Sequence, residues 1–507
     1  MASSALSLAA PLQKPIAAAS QPAPPFADNA FRLLLIIALY AIPLVATVRA
    51  ITDLDIWWHL RVGQWIVENN AVPTSDHFAL PTANTPWVAY SWLFEVLVYW
   101  LYQQFGLLGL VGYRVILSLA ILASLHRLIA KRERRLLIGC LLAGAAIAGF
   151  MQSLNERPWL FTILFTIWTF DVVLDLRAGV FTKKTWLLPL AYVLWANLHI
   201  QFVYGFFMLG LACIAPALDR LRHDRFADHA TCFFGGRDWR RLMLITGLCV
   251  LATLINPYHF RLYGVVFEYA TQPGPYRLVV ELTAMDFREV WDWLVLGLAG
   301  LATFSLGRQR LLSAFDILLL CGSAYLSFHM RRDSWLVAIV SAAILAGRSN
   351  ALAREVAEFP LTIKRALGLA GGLACVLLLT ILGRHLSEST LQEDVKNRFP
   401  VQAARFVKEH NLTGPLYNHF NWGGYLIWAL PDLAVAIDGR TNLHGDERIT
   451  RFERTWNGLP GWQADPDLTA AGVIIADRST PLAGLLRDDS RFQLEYADEV
   501  ACVFVKK

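Results

Sequence analysis

"WLFEVLVYWLYQQF", Trp92–Phe105, is either a membrane span or a helix lying on the membrane, and the topology of the whole chain turns on which. Downstream come a second apolar run, about 108–128, and the basic cluster Lys131-Arg132-Glu133-Arg134-Arg135. Lysine and arginine collect on the cytoplasmic side of membrane helices. Counting Trp92–Phe105 as a span would leave that cluster outside. The segment is short, holds Glu95, and is rich in Trp and Tyr, which favour the membrane–water interface. It therefore reads as an amphipathic helix on the outer surface, and 108–128 is the span that runs inward.

The same rule orders the rest of the chain. Of its 507 residues 56% are hydrophobic and only 17% charged, with 18 tryptophans, a composition that excludes an ordinary soluble protein. Further basic stretches are Arg177 to Lys184, Arg220 to Arg241, Arg308 to Arg310 and Arg348 to Arg365. With all of them in the cytoplasm, the spans fall at about 31–48, 108–128, 135–152, 158–176, 185–198, 202–218, 241–256, 291–306, 311–328, 334–347 and 366–383. The expected fold is an all-α polytopic membrane protein of about eleven transmembrane helices, N-terminus cytoplasmic and C-terminus outside. The net charge of +5 follows from the basic loops and gives no ground for nucleic-acid binding.

Three regions result. Residues 1–30, rich in Ala, Ser and Pro, read as a disordered cytoplasmic tail. Residues 31–385 form the transmembrane domain, with a large first outer loop over 49–107; Phe31–Val48 is an uncleaved first helix rather than a signal peptide. Residues 386–507 have the composition of a small extracytoplasmic α/β domain. There "VQAARFVKEH" reads as a helix, and "GPLYN", "LAVAID", "GVIIAD", "RFQLEY" and "ACVFVK" as short strands. The seven cysteines show no CxxC or Cys/His spacing for a metal and no disulfide framework.

Polar and ionisable residues converge on the outer loops. These are "TDLDIWWHLRVGQWI" (Thr52–Ile66), "NERP" (Asn155–Pro158), "NLHIQ" (Asn197–Gln201), "NPYHFRLYG" (Asn256–Gly264) with "ELTAMDF" (Glu281–Phe287), and "HMRRD" (His329–Asp333). Thr52 followed three residues later by Asp55 fits a helix start. In a helix beginning there, Asp55, His59 and Gly63 share a face at i, i+4 spacing, and the glycine leaves room for a ligand. Trp58, Val62, Trp65 and Ile66 form an apolar stripe beside it. In an extended entry segment Asp53 and Asp55 instead point the same way and can share a divalent cation, Mg²⁺ or Mn²⁺.

A water-poor site at the membrane edge suits a carboxylate general base. Desolvation raises its pKa towards working pH, and a nearby cation keeps it ionised. The candidate cations are Arg61, Arg157, Arg331 and Arg332, and an arginine or metal there also stabilises a phosphate leaving group. Headgroup anchoring is the plainer role for Arg331 and Arg332. Satisfied interfacial histidines are the plainer reading of His199, His259 and His329. The C-terminal stretch "NHFNWGGYLIWALPDLAVAIDGRTNLHG" (Asn418–Gly445) offers Trp422, Tyr425 and Trp428 as stacking surface for a sugar or peptide. Gly423 and Gly424 permit a tight turn or a close approach. Asp438 and Arg440 follow an expected strand, where ligand sites of α/β folds lie; a structural turn with an Asp–Arg ion pair fits them equally.

The pattern "DLDIWWHLRVGQWI…VPTSDHF…PWVAYSWLFE…FGLLGLVGYR" resembles the first outer loop of polyprenyl-phosphate-dependent GT-C glycosyltransferases, most closely the bacterial mannosyl- and arabinosyltransferase-like group. That resemblance implies an acidic motif and two interfacial helices in the first outer loop, and a catalytic carboxylate there. By it, Asp53 or Asp55 activates the acceptor and the other can bind metal. The mannosyltransferase-like group often carries adjacent acids, whereas this chain has Asp-Leu-Asp; spaced aspartates, as in oligosaccharyltransferases, go with a divalent ion. The C-terminal Trp-Gly-Gly-Tyr run is faintly similar to the acceptor-reading signature of the oligosaccharyltransferase outer domain.

The expected activity is therefore an inverting transfer of a sugar from a polyprenyl-phosphate donor to a glycan, lipid or protein acceptor outside a bacterial-type inner membrane. Substrate contacts would come from His59, Arg61 and Arg157 near the acids, and from His199, Glu281, Asp286, Arg331 and Arg332 in later outer loops. Trp422, Tyr425, Asp438 and Arg440 would add contacts from the C-terminal domain. The rivals are a lipid or glycan transporter, which would place its ionisable residues near mid-membrane, and a non-catalytic assembly protein with a ligand-binding outer domain.

Overall fold

The computed structural model describes residues 26–221, 236–308, 312–352, 371–372 and 386–507. The expected tail up to residue 25, Cys232, Cys375 and almost all of the span at 366–383 lie outside the described residues, as do parts of the last three basic stretches.

Trp92–Phe105 is a single helix that stops at Gly106, whose φ of 61° breaks the helical path, and the Leu107–Ala130 helix begins at the next residue. A carboxylate from the far end of the chain caps that second helix: Glu388 accepts the N–H groups of Leu107 and Leu108, each at 3.1 Å. Other apolar helices follow over Leu136–Gly149, Trp159–Arg177, Lys183–Leu198, Val203–Leu221, Arg237–Ala252, Val290–Gly307, Ala314–His329 and Ser334–Leu352. Among the described residues, four helical stretches are long and apolar enough to cross a membrane: Leu107–Ala130, Trp159–Arg177, Ile200–Leu221 and Val290–Gly307. Shorter apolar helices cover Phe31–Thr47, Leu136–Gly149 and Ala314–His329. Ile116, Leu141, Ile214, Leu301 and Phe304 stand exposed on them. In water such a belt would drive aggregation; in lipid it is the solvated surface. This is the helix inventory of a membrane protein.

The two ends of the helices differ. One gathers the basic loops, but orientation alone does not account for them. Lys131 binds Asp171 at 2.5 Å and Asp175 at 2.9 Å, Lys184 binds Asp171 at 2.9 Å, and Arg348 binds Asp316 at 2.6 Å. Asp219 accepts the Ala314 N–H at 2.7 Å. Acids within the helices neutralise cations held close to lipid, where an unpaired charge is costly.

The other end carries the first outer loop. Its helix runs Ile56–Asn69 and begins later than the Thr52 cap would place it. Asp53 does the capping, its Oδ1 accepting the N–H groups of Asp55 at 2.8 Å and Ile56 at 3.0 Å. Gly63 does not leave room for a ligand. The space beside it is filled by the Glu95 carbonyl and Tyr99 of the Trp92–Phe105 helix, so the Ile56–Asn69 and Trp92–Phe105 helices pack backbone to backbone.

The C-terminal residues fold around a four-stranded sheet of order β1-β2-β4-β3, with β1 Leu416–Asn418, β2 Val473–Asp477, β3 Phe492–Ala497 and β4 Ala501–Lys506. β1 and β2 are parallel and the other pairs antiparallel. Side-chain alternation gives each face its own partner. Val473, Ile475 and Val503 join the core that continues into the membrane helices, while Ile474, Ala476 and Phe504 pack with Phe452 and Trp456 of the Thr441–Trp456 helix. "LAVAID" is not a strand of this sheet. Val435 bridges Leu416 on one side and Ala79 of the first outer loop on the other, with Leu80 N–H donating to the Val435 carbonyl at 2.9 Å. Its strand-like sequence is spent on stitching two distant parts of the chain together.

Candidate active site

A cleft of about 650 Å³ opens where the first outer loop, the loops after Leu136–Gly149 and before Val290–Gly307, the Arg331–Asp333 turn and the C-terminal residues meet. Asp55, Arg157, Glu281, Arg331 and Arg332 all line it, so five residues singled out in the sequence come together. Trp159 gives the cleft an aromatic wall, and the guanidinium carbons of Arg157 and Arg332 each lie 5.2 Å from its ring centre.

The acids of "TDLDIWW" are bridged by one arginine. Arg157 donates from Nε to Asp53 and from Nη1 to Asp55. Arg157 is held by its own short loop and by Tyr113, whose hydroxyl donates to the Arg157 carbonyl at 2.8 Å. The two carboxylates have different work. Asp53 is buried and its oxygens are taken by the Asp55 and Ile56 N–H groups and Arg157. Burial pushes its carboxyl up to about 7, against the pull of Arg157 and with the help of the neighbouring Asp55 charge. Asp55 lines the cleft, and Arg157 is the side-chain partner of its carboxylate. Burial works against the charge on Arg157, but Asp53 and Asp55 hold it protonated.

The two arginines of "HMRRD" are unequally engaged. Arg331 reaches Asp292 at 3.1 Å and Asp286 at 3.6 Å. Arg332 meets Glu281 only at 3.7 Å and Asp333 at 4.0 Å, and its buried Nε has no hydrogen-bond partner among the described residues. Asp333 is drawn instead to Tyr204, whose hydroxyl donates to it. Arg332 is thus a cation facing the cleft with hydrogen-bonding capacity to spare.

The other sequence candidates have different partners. His59 Nδ1 lies 3.2 Å from Glu95 Oε1 between the Ile56–Asn69 and Trp92–Phe105 helices. Burial lowers the His59 pKa well below its usual value and raises that of Glu95 well above its own. Arg61 faces Glu68 at 3.9 Å, away from the cleft. His199 accepts or donates to Thr162 at 2.9 Å and is kept neutral by burial, with the Arg332 and Arg157 charges adding to the effect. Trp422 is buried and does not line the cleft; its neighbours Phe420, Asn421 and Gly424 do. Tyr425 stacks on Phe399 at 5.2 Å and meets Trp57 edge-on at 5.2 Å, so its ring is spent on packing.

Asp438 and Arg440 form the structural ion pair, at 2.7 Å, and Arg440 also binds Asp76 of the first outer loop at 2.6 Å. Burial opposes the Asp438 charge, but Arg440 and His444 hold its carboxyl well below the usual range. Asp76 went unmarked in the sequence; it stands in "VPTSDHF" without a helical or strand pattern to suggest burial. Glu156 and Arg114 were missed too. Arg114 is fully buried within the Leu107–Ala130 helix, pairs with Glu156, and donates to the carbonyls of Arg49 at 2.5 Å and Ala50 at 3.3 Å. An arginine inside an apolar run was the signal that could have found it.

The Asp53 and Asp55 carboxylates face one guanidinium between them. Arg157 lies between the two carboxylates, and among the described residues no group of three His, Cys, Asp or Glu side chains is placed to hold a metal ion.

No family model matches the chain, and no curated protein matches its sequence. Solved structures do match its fold. The arabinofuranosyltransferase AftD from Mycobacteria aligns with a TM-score of 0.50 at 13% identity, over 94% of this chain and 40% of AftD. ArnT from Cupriavidus metallidurans, bound to undecaprenyl phosphate, aligns at 0.46 and 14% identity over 93% of this chain and 97% of ArnT. The oligosaccharyltransferase of Archaeoglobus fulgidus aligns at 0.49 and 10% identity, over 89% and 69%. These are GT-C glycosyltransferases, and the chain has the GT-C fold. At such identities the likeness is one of fold, and what the site does rests on its own chemistry.

Proposed function

We propose that the protein is an integral-membrane glycosyltransferase that moves a sugar from a polyprenyl-phosphate donor to an extracytoplasmic acceptor. The observation that carries this reading is the content of this cleft: the Asp55 carboxylate, oriented by Arg157, and the incompletely paired Arg332. Asp55 takes the proton of an acceptor hydroxyl as its oxygen attacks the anomeric carbon. The bond to the lipid phosphate breaks, and the phosphate leaves with its electron pair towards Arg332 and Arg331. Attack opposite the leaving group inverts the anomeric centre.

In this reading the helices make about eleven spans, with the paired basic end in the cytoplasm and the cleft and C-terminal residues outside. The C-terminal residues that line the cleft then stand beside the acceptor. Because Arg157 stands where a shared ion would sit, transfer proceeds without a divalent cation.

The test is transfer from a panel of radiolabelled polyprenyl-phosphate sugars by membranes carrying the full chain. At least one donor should be consumed, and excess chelator should leave its turnover unchanged. No turnover with any donor would defeat the proposal, and loss of turnover with chelator would return Asp53 and Asp55 to a metal.

The pH profile has a definite sign. Asp53 carries its charge only above about 7, and that charge holds one edge of the Arg157 fork. The rate should therefore rise with pH through about 7, and Asp53→Asn should flatten that limb. For folding the sign is opposite. A carboxyl raised from 3.8 contributes stability that is full below that value and is lost as pH rises through about 7. A profile from about pH 5 to 9 for wild type and Asp53→Asn decides the matter. A limb that survives Asp53→Asn unchanged would assign it elsewhere.

A further inference from the structure

We infer that Gly439, in the C-terminal loop between Asp438 and Thr441, sets the position of the Asp55 carboxylate: the loop is a rigid stop against which the base is held. The inference rests on the reading of Asp55 as the base and adds to it a positioning residue some 380 positions away in the chain.

Arg157 holds Asp55 from one side, at Oδ2. On the other side lies the backbone of Gly439. A methyl group placed on Gly439 would overlap Asp55 Oδ1, and the three atoms nearest to that methyl all belong to the Asp55 carboxylate. The space a side chain would take at 439 is therefore filled by the base itself. Gly439 is not among the residues with positive φ, so its backbone does not require glycine. The close approach to Asp55 is what requires it.

A stop works only if it does not recoil. Asp438 Oδ1 accepts the Arg440 N–H at 2.9 Å and its Nε at 2.8 Å, and Asp438 Oδ2 accepts Nη2 at 2.7 Å. Arg440 Nη1 donates to Asp76 Oδ1 at 2.6 Å, and Asp76 Oδ2 accepts the Thr82 hydroxyl at 2.6 Å. The Arg440 guanidinium lies 4.8 Å from the Trp87 ring centre. Thr441 N–H closes back on the Gly439 carbonyl at 2.9 Å. Asp438, Arg440 and Asp76 are all buried. Such a network yields less readily than a single carboxylate at the edge of a cleft. When the two collide, Asp55 moves.

The experiment is Gly439→Ala in the full chain, in membranes. Turnover should fall about 100-fold, as expected for a reacting group displaced by about 1 Å, with the donor KM changed less than about threefold. In an Asp55→Asn background the same alanine should add no further loss. A second readout needs no activity. Gly439→Ala should lower the Tm of the purified chain, and the drop should shrink when Asp55 is also Ala, because the overlapping carboxylate is gone. Unchanged turnover in Gly439→Ala, or an equal Tm drop in both backgrounds, overturns the inference. If wild type transfers no sugar at all, the glycosyltransferase reading falls, while the Tm comparison still tests the contact.

Discussion

Asp55→Asn should lower sugar transfer by about 10³-fold, within the range general-base removal commonly produces, and leave the donor KM close to wild type. Asparagine keeps the size of the side chain and an oxygen for Arg157, so the cleft survives, but it cannot take a proton. Asp53→Asn should cost less, because Asp53 spends its oxygens on the Asp55 and Ile56 N–H groups and on Arg157 and is buried away from substrate. Single-turnover transfer with a labelled donor separates the two. If Asp53→Asn proves the more damaging, the base is misassigned. If both variants turn over like wild type, the first outer loop does no chemistry, and a non-catalytic assembly role becomes the better account.

What the sequence revealed was local, and what it concealed was pairing over distance. Trp92–Phe105 could be placed as one helix because charge and aromatic content are written within it, and its bounds match the structure. "GVIIAD" and "ACVFVK" were legible as strands because a run of β-branched residues needs only neighbours on the pleat. "LAVAID" carries the same signal, yet Val435 makes only single bridges, one to Leu416 and one to Ala79, hundreds of residues upstream, and these replace a ladder. The Thr52 cap failed for a similar reason. Asp53 had the better geometry once Arg157 fixed it, and nothing around Thr52 announces Arg157.

The site shows the same division. Asp53, Asp55, Arg157, Arg331 and Arg332 could each be marked by chemical type and by lying in an outer loop. That one arginine forks across both acids, 104 and 102 residues away, was not in the pattern. Asp438 and Arg440 were open to two readings until Asp76, 364 residues from Arg440, completed a buried triad. A ligand set and a structural ion pair use the same side chains, and only burial with full satisfaction tells them apart.

Arg157→Gln should be the most damaging single change to the fold of this site, at a cost of about 3–5 kcal/mol, because it leaves a buried carboxylate facing a second one with no cation between them. Arg157→Lys should recover little of it. A lysine ammonium is a point charge, whereas the two contacts come from Nε and Nη1 of one planar fork. The mechanism makes a further demand that a general packing defect would not meet. Adding Asp53→Asn to Arg157→Gln removes a buried carboxyl that is charged only above about 7 and that the lost arginine had balanced, so at about pH 9 the double variant should unfold at a higher temperature than Arg157→Gln alone, even though it carries one more change. Thermal unfolding in a single detergent gives the comparison. If the second substitution lowers Tm further, the cost of losing Arg157 lies in its packing against Trp159 rather than in the two acids. Transfer should stay low in both variants, since Asp55 is left without the contact that aims it.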